Sequence, residues 1–221
     1  MTTEETGREV LPADGTILTA RGVRSRAALL AAARRLFGSK GYANTKIADI
    51  TQEAGRALGT FYTYFSNKEE VLEQLAEDFK AEIDLRVTEL DLTSGEPYDV
   101  LRDLCAVYWH SCRNHSAELA SIFQASMLDE RFAERWRDIR ADARGHIAAG
   151  IRAVRKAGKA ENPDPEATAS ALGSMLDYFC YVWLVEGGEA GRSSLSDEVA
   201  IDTLARVMYR TVFAAAEPAK P

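Results

Sequence analysis

The chain has 221 residues, 46% of them hydrophobic and 28% charged, with a net charge of −7. This is ordinary globular composition, at a length that suits one large or two small domains. Three cysteines, an odd number, supply no disulfide framework and point to a reducing cytoplasm. The longest apolar run, residues 169–185, is interrupted by Ser174 and Asp177 and is too short to span a bilayer, and the acidic, polar residues 1–14 do not read as a signal peptide.

Residues 1–20 lack periodicity and contain Gly7, Pro12 and Gly15, so a disordered extension is expected. Its acids Glu4, Glu5, Glu9 and Asp14 outweigh Arg8 and argue against an arm laid on nucleic acid; the basic run 21–26, with Arg24, suits phosphate better. A first helix is predicted over 24–39, with Ala28, Leu29, Ala32, Leu36 and Phe37 as its apolar stripe and Gly38 and Gly41 at its end. Two short segments follow. Residues 46–53 place Ile47, Ala48, Ile50 and Thr51 at helical spacing, with Thr45 as expected N-cap. Ala54-Gly55 makes a turn, since glycine takes the left-handed C′ conformation at least cost. Residues 58–65 put Leu58, Phe61 and Phe65 on one face and Thr60, Tyr62, Thr63 and Tyr64 on the rest.

Helix, glycine turn and second helix with hydroxyls outward is the pattern of a helix-turn-helix; an ordinary helical hairpin has the same spacing. Charge separates the two. From Ala20 to Lys68 there are nine basic residues and two acidic, a net of +7 on a chain that is −7 overall. A basic segment on an acidic body is the electrostatic footprint of a nucleic-acid reader.

Ser66-Asn67-Lys68-Glu69 reads as a capping box opening a helix to about residue 90, with the stripe Val71, Leu72, Leu75, Phe79, Ile83 and Val87. A loop is expected over 91–97 and a helix over 98–114 bearing Val100, Leu101, Leu104, Val107 and Tyr108. A break at His115-Ser116 precedes a helix over 117–127. The helix 129–156 carries Phe132, Trp136, Ile139, Ile147, Ile151 and Val154 and ends at Gly158. Asp164 caps, and Pro165 opens, a helix to about 185 that is apolar on most sides. A loop over 186–196 leads to the last helix, 197–216, with Val199, Leu204, Val207, Met208, Val212 and Phe213. No strand or internal repeat is visible. Surplus apolar surface on the last two helices is normally covered by a partner, which predicts a homodimer through residues 165–185 and 197–216; the alternative is that both are central in a monomer.

No nucleophile elbow, glycine-rich phosphate loop or zinc motif is present, so the sequence offers no support for an enzyme, a cofactor or a metal site. Cys105 and Cys112 share a helical face about 10 Å apart at the standard rise, beyond disulfide reach. Cys112 and His115 stand three apart, but neither they nor His110 complete a metal set. Large apolar side chains between residues 68 and 185 suggest a pocket lined by Phe79, Ile83, Tyr108, Trp109, Phe123, Met127, Trp136, Tyr178 and Tyr181, against a plain-core reading for most of them. Asp177 lies on an apolar helix. It either faces solvent or pairs across the dimer, or it orients a polar or cationic part of a ligand.

The runs FGSKGYANTKIADITQEAG and GTFYTYFSNKEEVL resemble the DNA-binding domain of TetR-family transcriptional repressors. Phe37, Gly41, Tyr42, Thr45, Ile47, Ile50, Ala54-Gly55, Gly59-Thr60, Tyr62, Phe65, Lys68 and Leu72 carry the resemblance, over roughly residues 24–72. It implies a dimer, a recognition helix in the major groove and a ligand pocket in the C-terminal domain. Carried over by position, Thr45 and Lys46 meet phosphate, Leu58, Gly59, Thr60, Tyr62 and Thr63 face bases, and Tyr64 and Lys68 hold phosphates. Arg56 is a contact or a solvated turn charge. Where the family has an apolar residue and then Ser or Thr, this chain has Arg56 and Ala57, which leaves the start of the recognition helix open by a residue or two. Leu58 is also bulkier than is common there.

The expected protein is all-α: an extension over 1–20, a three-helix helix-turn-helix domain over 21–67, and a larger helical effector-binding and dimerisation domain over 68–217. Its expected function is a cytoplasmic, ligand-responsive repressor, released from a palindromic operator on double-stranded DNA by a small, largely apolar effector. The alternative is an all-helical ligand-binding or thiol- or metal-sensing protein without sequence-specific DNA binding. The basic segment is what separates the two.

Overall fold

The computed structural model describes residues 19–92, 95–157 and 164–213. Among these residues the chain is helical, with one isolated bridge between Glu189 and Arg192. The helices are α1 (Ala20–Lys40), α2 (Ile47–Glu53), α3 (Leu58–Tyr62), α4 (Lys68–Thr88), α5 (Pro97–Asn114), α6 (Ser116–Leu128), α7 (Glu130–Lys156), α8 (Pro165–Leu184) and α9 (Asp197–Phe213). Residues 1–18, most of the expected extension, lie outside the described residues, as do Gly158 and the end of the last helix beyond 213.

The helix ends follow local chemistry. α1 starts four residues earlier than its apolar stripe suggests, because Thr19 caps it by accepting the Gly22 N–H at 3.2 Å. Gly41, at φ +78°, ends it. At α2 the expected cap does not form. Thr45 is buried and its hydroxyl donates to the Gly41 carbonyl at 2.8 Å, so Lys46 is the N-cap residue and its N–H donates to Asp49 Oδ2 at 3.1 Å. Gly55 turns the chain at φ +62°. α3 is shorter than predicted and starts without a side-chain cap, as the absence of a hydroxyl at Ala57 implies. The capping box of α4 is displaced by one residue: Asn67 accepts the Glu70 N–H at 2.8 Å and Glu70 Oε2 accepts the Ser66 N–H at 2.7 Å. Asp164 and Pro165 open α8 as predicted, Asp164 Oδ1 accepting the Glu166 and Ala167 N–H groups. His115, at φ −119° and ψ 34°, breaks the chain between α5 and α6 as expected.

Two cores organise the molecule. One gathers Leu29, Phe37, Ile50, Phe61 and Phe65 with Val71, Leu72 and Leu75 of α4. Ile122, Phe132 and Ile139 of α6 and α7 complete it. The first half of α4 is therefore packed with the helix-turn-helix. The other core gathers Phe79, Trp109, Cys112, Leu176, Cys180 and Leu204 from α4, α5, α8 and α9. Residues such as Phe61, fully buried, each contribute about 1.5–3 kcal/mol of hydrophobic stabilisation. α5 lies along α9, α7 along α8, and α1 on α6. α4 runs through both cores, so the two halves share one rigid rod.

Candidate nucleic-acid interface and effector core

In the helix-turn-helix, Phe61 and Phe65 are buried and fix α3 against α1 and α4. With them held inward, Leu58 at 50% exposure and Tyr62 at 57% face outward. Leu58 therefore leaves the apolar face it shares with Phe61 and Phe65 by spacing. Gly59 and Thr63 are exposed, and an added Cβ at Gly59 would meet nothing within 4 Å. Thr60 is half-buried; the Thr63 hydroxyl donates to the Gly59 carbonyl at 3.3 Å. A short helix that offers a phenol, hydroxyls, an apolar side chain and a bare glycine can enter a major groove and touch base edges and thymine methyls.

The basic residues divide by partner. Arg35 pairs with Glu53, Lys40 with Asp49 and Arg34 with Glu118, while Arg26 lies over the Phe65 ring and donates to Gln74. Among the described residues Arg21, Arg24, Lys46 and Arg56 form no salt bridge, although the Lys46 charge acts on Asp49; the Arg56 guanidinium donates to the Gly55 carbonyl. The free positive charge is thus narrower than the count of nine.

Two of the expected phosphate contacts are turned inward. The Thr45 hydroxyl is spent on the end of α1. The Lys68 ammonium donates to the carbonyls of Tyr42 at 2.8 Å and Thr45 at 3.1 Å and lies 4.1 Å from the Tyr42 ring centroid. Burial pulls its pKa below the ordinary value, although Glu69 opposes this. Glu69 in turn accepts the Tyr42 hydroxyl at 2.9 Å, and burial together with that bond pushes the phenol upward. Tyr42, Lys68 and Glu69 thus tie the α1–α2 link to the start of α4. Tyr64 is half-buried against the same core.

In the C-terminal half, the expected pocket residues fall into separate places. Phe79 and Trp109 are fully packed, and the Trp109 indole N–H donates to Asp197 Oδ1 at 2.8 Å. Ile83 packs on that core from its edge. Trp136 belongs instead to the core of the helix-turn-helix, and Met127 is 74% exposed at the end of α6. Phe123, Tyr178 and Tyr181 do come together: Phe123 lies 4.4 Å from Tyr181, and the two tyrosines stack at 6.0 Å. Asp177 is only 13% exposed and is paired within its own chain. Its Oδ1 accepts the Tyr108 hydroxyl at 2.5 Å and its Oδ2 accepts Arg140 Nη1 at 2.7 Å, with Arg144 Nη2 at 3.6 Å. Burial first, then the neighbouring Cys112 and Asp177, push the Tyr108 phenol well upward. The arginines were missed at the level of sequence. Their signal was present in Trp136, Arg140 and Arg144 at steps of four, one face of one helix. The three cysteines are free and buried, and burial pushes the Cys105 thiol up to about 12.

Residues 29–75 match the family of bacterial regulatory proteins named for tetR. Over these residues the chain is similar to the DNA-binding domain of the TetR family. It is 29% identical over 156 residues to the transcriptional regulator EthR of Mycolicibacterium smegmatis, covering 66% of this chain and 72% of that one. Against the transcriptional repressor NicS of Pseudomonas putida it is 25% identical over 205 residues, covering 91% and 89%. It is 33% identical to the regulator YdgC of Bacillus subtilis, where the chain spans only 40% of that protein's length. Among solved structures, TetR-family regulators from Syntrophomonas wolfei and Rhodococcus RHA1 share its fold, with TM-scores of 0.71 and 0.70 at 21% and 22% identity. The first covers 86% of this chain and 95% of that one, the second 87% and 98%. No helix among the described residues is long and apolar enough to cross a membrane.

Proposed function

We propose that this chain is a TetR-family, ligand-responsive, DNA-binding transcriptional repressor that acts in the cytoplasm as a homodimer. The observation that carries the reading is the outward face of α3, where Leu58, Gly59, Tyr62 and Thr63 stand exposed on a scaffold fixed by Phe61 and Phe65. Two such helices, one from each protomer, would read the half-sites of a palindromic operator. Arg24, Lys46 and Arg56, which form no salt bridge among the described residues, would supply phosphate contacts, while Lys68 holds α4 to the carbonyls of Tyr42 and Thr45. Relatives such as NicS and EthR are named as regulators of transcription. A ligand-binding or thiol- or metal-sensing protein that leaves DNA alone has no comparable support.

The effector would sit where α5, α6, α7 and α8 meet and act on α4, which runs from the helix-turn-helix core into the other. The test is selection of genomic fragments by the purified protein, followed by footprinting. A protected palindrome that is lost in a Tyr62→Ala, Thr60→Ala double variant is the expected result. Fragments retained without sequence preference would overturn the reading.

A further inference from the structure

Asp177, Tyr108, Arg140 and Arg144 form a part-buried cluster with more positive charge than negative. The side chains of Arg140, Arg144 and Asp177 are 26%, 25% and 13% exposed. One carboxylate faces two guanidinium groups, its Oδ1 accepting the Tyr108 hydroxyl and its Oδ2 accepting Arg140 Nη1. Two buried donors make no hydrogen bond: Arg140 Nε, and Arg144 Nη2, which stands at ion-pair distance, 3.6 Å, from Asp177 Oδ2. Both arginines are already held in place. Arg140 lies 5.2 Å from the centroid of the Trp136 ring, and Arg144 runs along α8 over Gly173, where an added Cβ would lie 3.6 Å from its Nε. Arg144 Nη1 is anchored on the Ser170 hydroxyl at 3.1 Å. The ordering cost of these long side chains is therefore met before any ligand arrives.

This arrangement selects by charge. A cation would add a third positive group to a site that already has one in excess. A neutral hydroxyl could accept from one donor but would leave the excess charge unbalanced. A carboxylate balances it and matches the fork of a guanidinium. Tyr181, one turn beyond Asp177 on α8, and Phe123 of α6 supply an apolar wall beside the charged cluster, with Tyr178 half outside it.

We propose that this cluster is an anion-reading subsite: the effector carries a carboxylate head that meets Arg140 and Arg144, and an apolar body that lies on Phe123, Tyr178 and Tyr181. The inference rests on the ligand-responsive reading above and names the chemical class of the ligand. It replaces a cationic head, which a lone Asp177 would have favoured.

The test uses the full-length protein and three amphiphiles of one chain length, decanoate, decanol and decylamine. Binding is read by calorimetry and by quenching of tryptophan fluorescence, and thermal melts check that each variant folds. Decanoate is expected to bind at least about tenfold tighter than decanol, and decylamine weakest. Arg144→Gln should remove that advantage. Asp177→Asn, an isosteric change, should tighten decanoate and loosen nothing but a cation. Arg152→Gln, on the same helix but paired with Glu166 outside the cluster, should leave decanoate binding as it is. Decylamine equal to decanoate, Asp177→Asn weakening decanoate, or no binding by decanoate would each overturn the proposal. Release of labelled operator is measured alongside. If decanol or decylamine releases it and decanoate does not, the anion subsite falls while ligand response stands; if the protein binds no operator, it is the functional reading that fails.

Discussion

Arg34 on α1 is ion-paired with Glu118 on α6, a carboxylate whose side chain is only 2% exposed. The pair crosses from the DNA-reading half to the effector half. Glu118 is also met by His115 Nδ1 at 3.2 Å, and His115 Nε2 lies 2.6 Å from Glu82 Oε2 on α4. Glu82 in turn accepts from Arg86 at 2.7 Å, and the Phe79 ring lies 5.2 Å from the imidazole. Beside this chain of charges α1 and α6 approach closely: an added Cβ at Gly38 would lie 3.1 Å from the Ala117 Cβ. The seam between the two halves is therefore polar at its centre and tight at its rim.

A buried carboxylate deprived of its cation keeps its desolvation cost. Arg34→Ala is expected to cost about 1–3 kcal/mol in urea unfolding, reduced from a fully buried pair because Arg34 is itself 45% exposed. Adding Glu118→Gln should recover part of the loss, a coupling visible in a double-mutant cycle. Strict additivity of the two changes would show that the pair carries no interaction energy.

The same seam should respond to pH. The hydrogen bond to Glu118 leads in raising the His115 pKa above 6.5; burial opposes it, and Glu82 adds to it. A group raised on folding stabilises fully below its unfolded value and loses that contribution as pH rises through the folded value. For Glu118 burial acts upward, but the His115 bond and the Arg34 charge outweigh it and hold the carboxyl below 4.5. Glu82 is held down by the same imidazole and by Arg86, again against burial. Their contribution is present above the ordinary carboxyl value and is lost as pH falls through the depressed ones. Wild type should therefore exceed His115→Gln most in mildly acidic solution, with the gap in melting temperature narrowing as pH is raised beyond 6.5. A gap that widens with rising pH would contradict this sign.

Much of the fold is legible because periodicity and stop signals are local. The break at His115, the cap at Asp164 and the short helix after Gly55 all follow from neighbours in sequence. The cap of α4 was not decided that way, since Ser66 and Asn67 are both competent; the extended backbone at Asn67, φ −155° and ψ 178°, settles it. Thr45 reads as an acceptor, but it lies beside the carbonyls left open at the end of α1, and a hydroxyl there donates. The partners of Asp177 come from helices 69 and 37 residues away, a separation that pattern reading along one helix does not reach.

On the DNA face, residues that look alike by charge should behave differently. Lys46→Ala and Arg24→Ala should weaken binding to all sequences and reduce the salt slope by about one each. Lys68→Ala removes the tie between α4 and the carbonyls of Tyr42 and Thr45, so it should lower thermal stability and change the salt slope less than Lys46→Ala does. Tyr62→Phe or Thr60→Ala should cost about 1–3 kcal/mol at particular base pairs. A Lys68→Ala protein of unchanged melting temperature but reduced salt slope would restore that lysine to a phosphate.

The last expectation concerns assembly. One short recognition helix reaches only a few base pairs, so specific affinity needs two, roughly one helical turn of DNA apart. On α8 the outward residues Ala171 and Ser174 are small and lead to Tyr178, which is 56% exposed. On α9 Val199 and Val207 are 41% and 42% exposed two turns apart, with Thr203 between them. Isolated apolar residues at a surface need no explanation. A row of them on the two helices that close the chain is what a two-fold partner would cover, and the symmetry then sets one recognition helix against its copy. Phe213, in contrast, is stacked on Tyr209 at 4.8 Å and serves its own subunit, so a charge there would test folding rather than pairing. Val207→Asp is therefore the cleaner change. It should give a monomer in sedimentation equilibrium, with helical content retained by circular dichroism and operator binding lost in gel shift. A folded Val207→Asp monomer that binds the operator as tightly as wild type would exclude any need for the dimer, and a variant that stays dimeric would move the interface away from Val207.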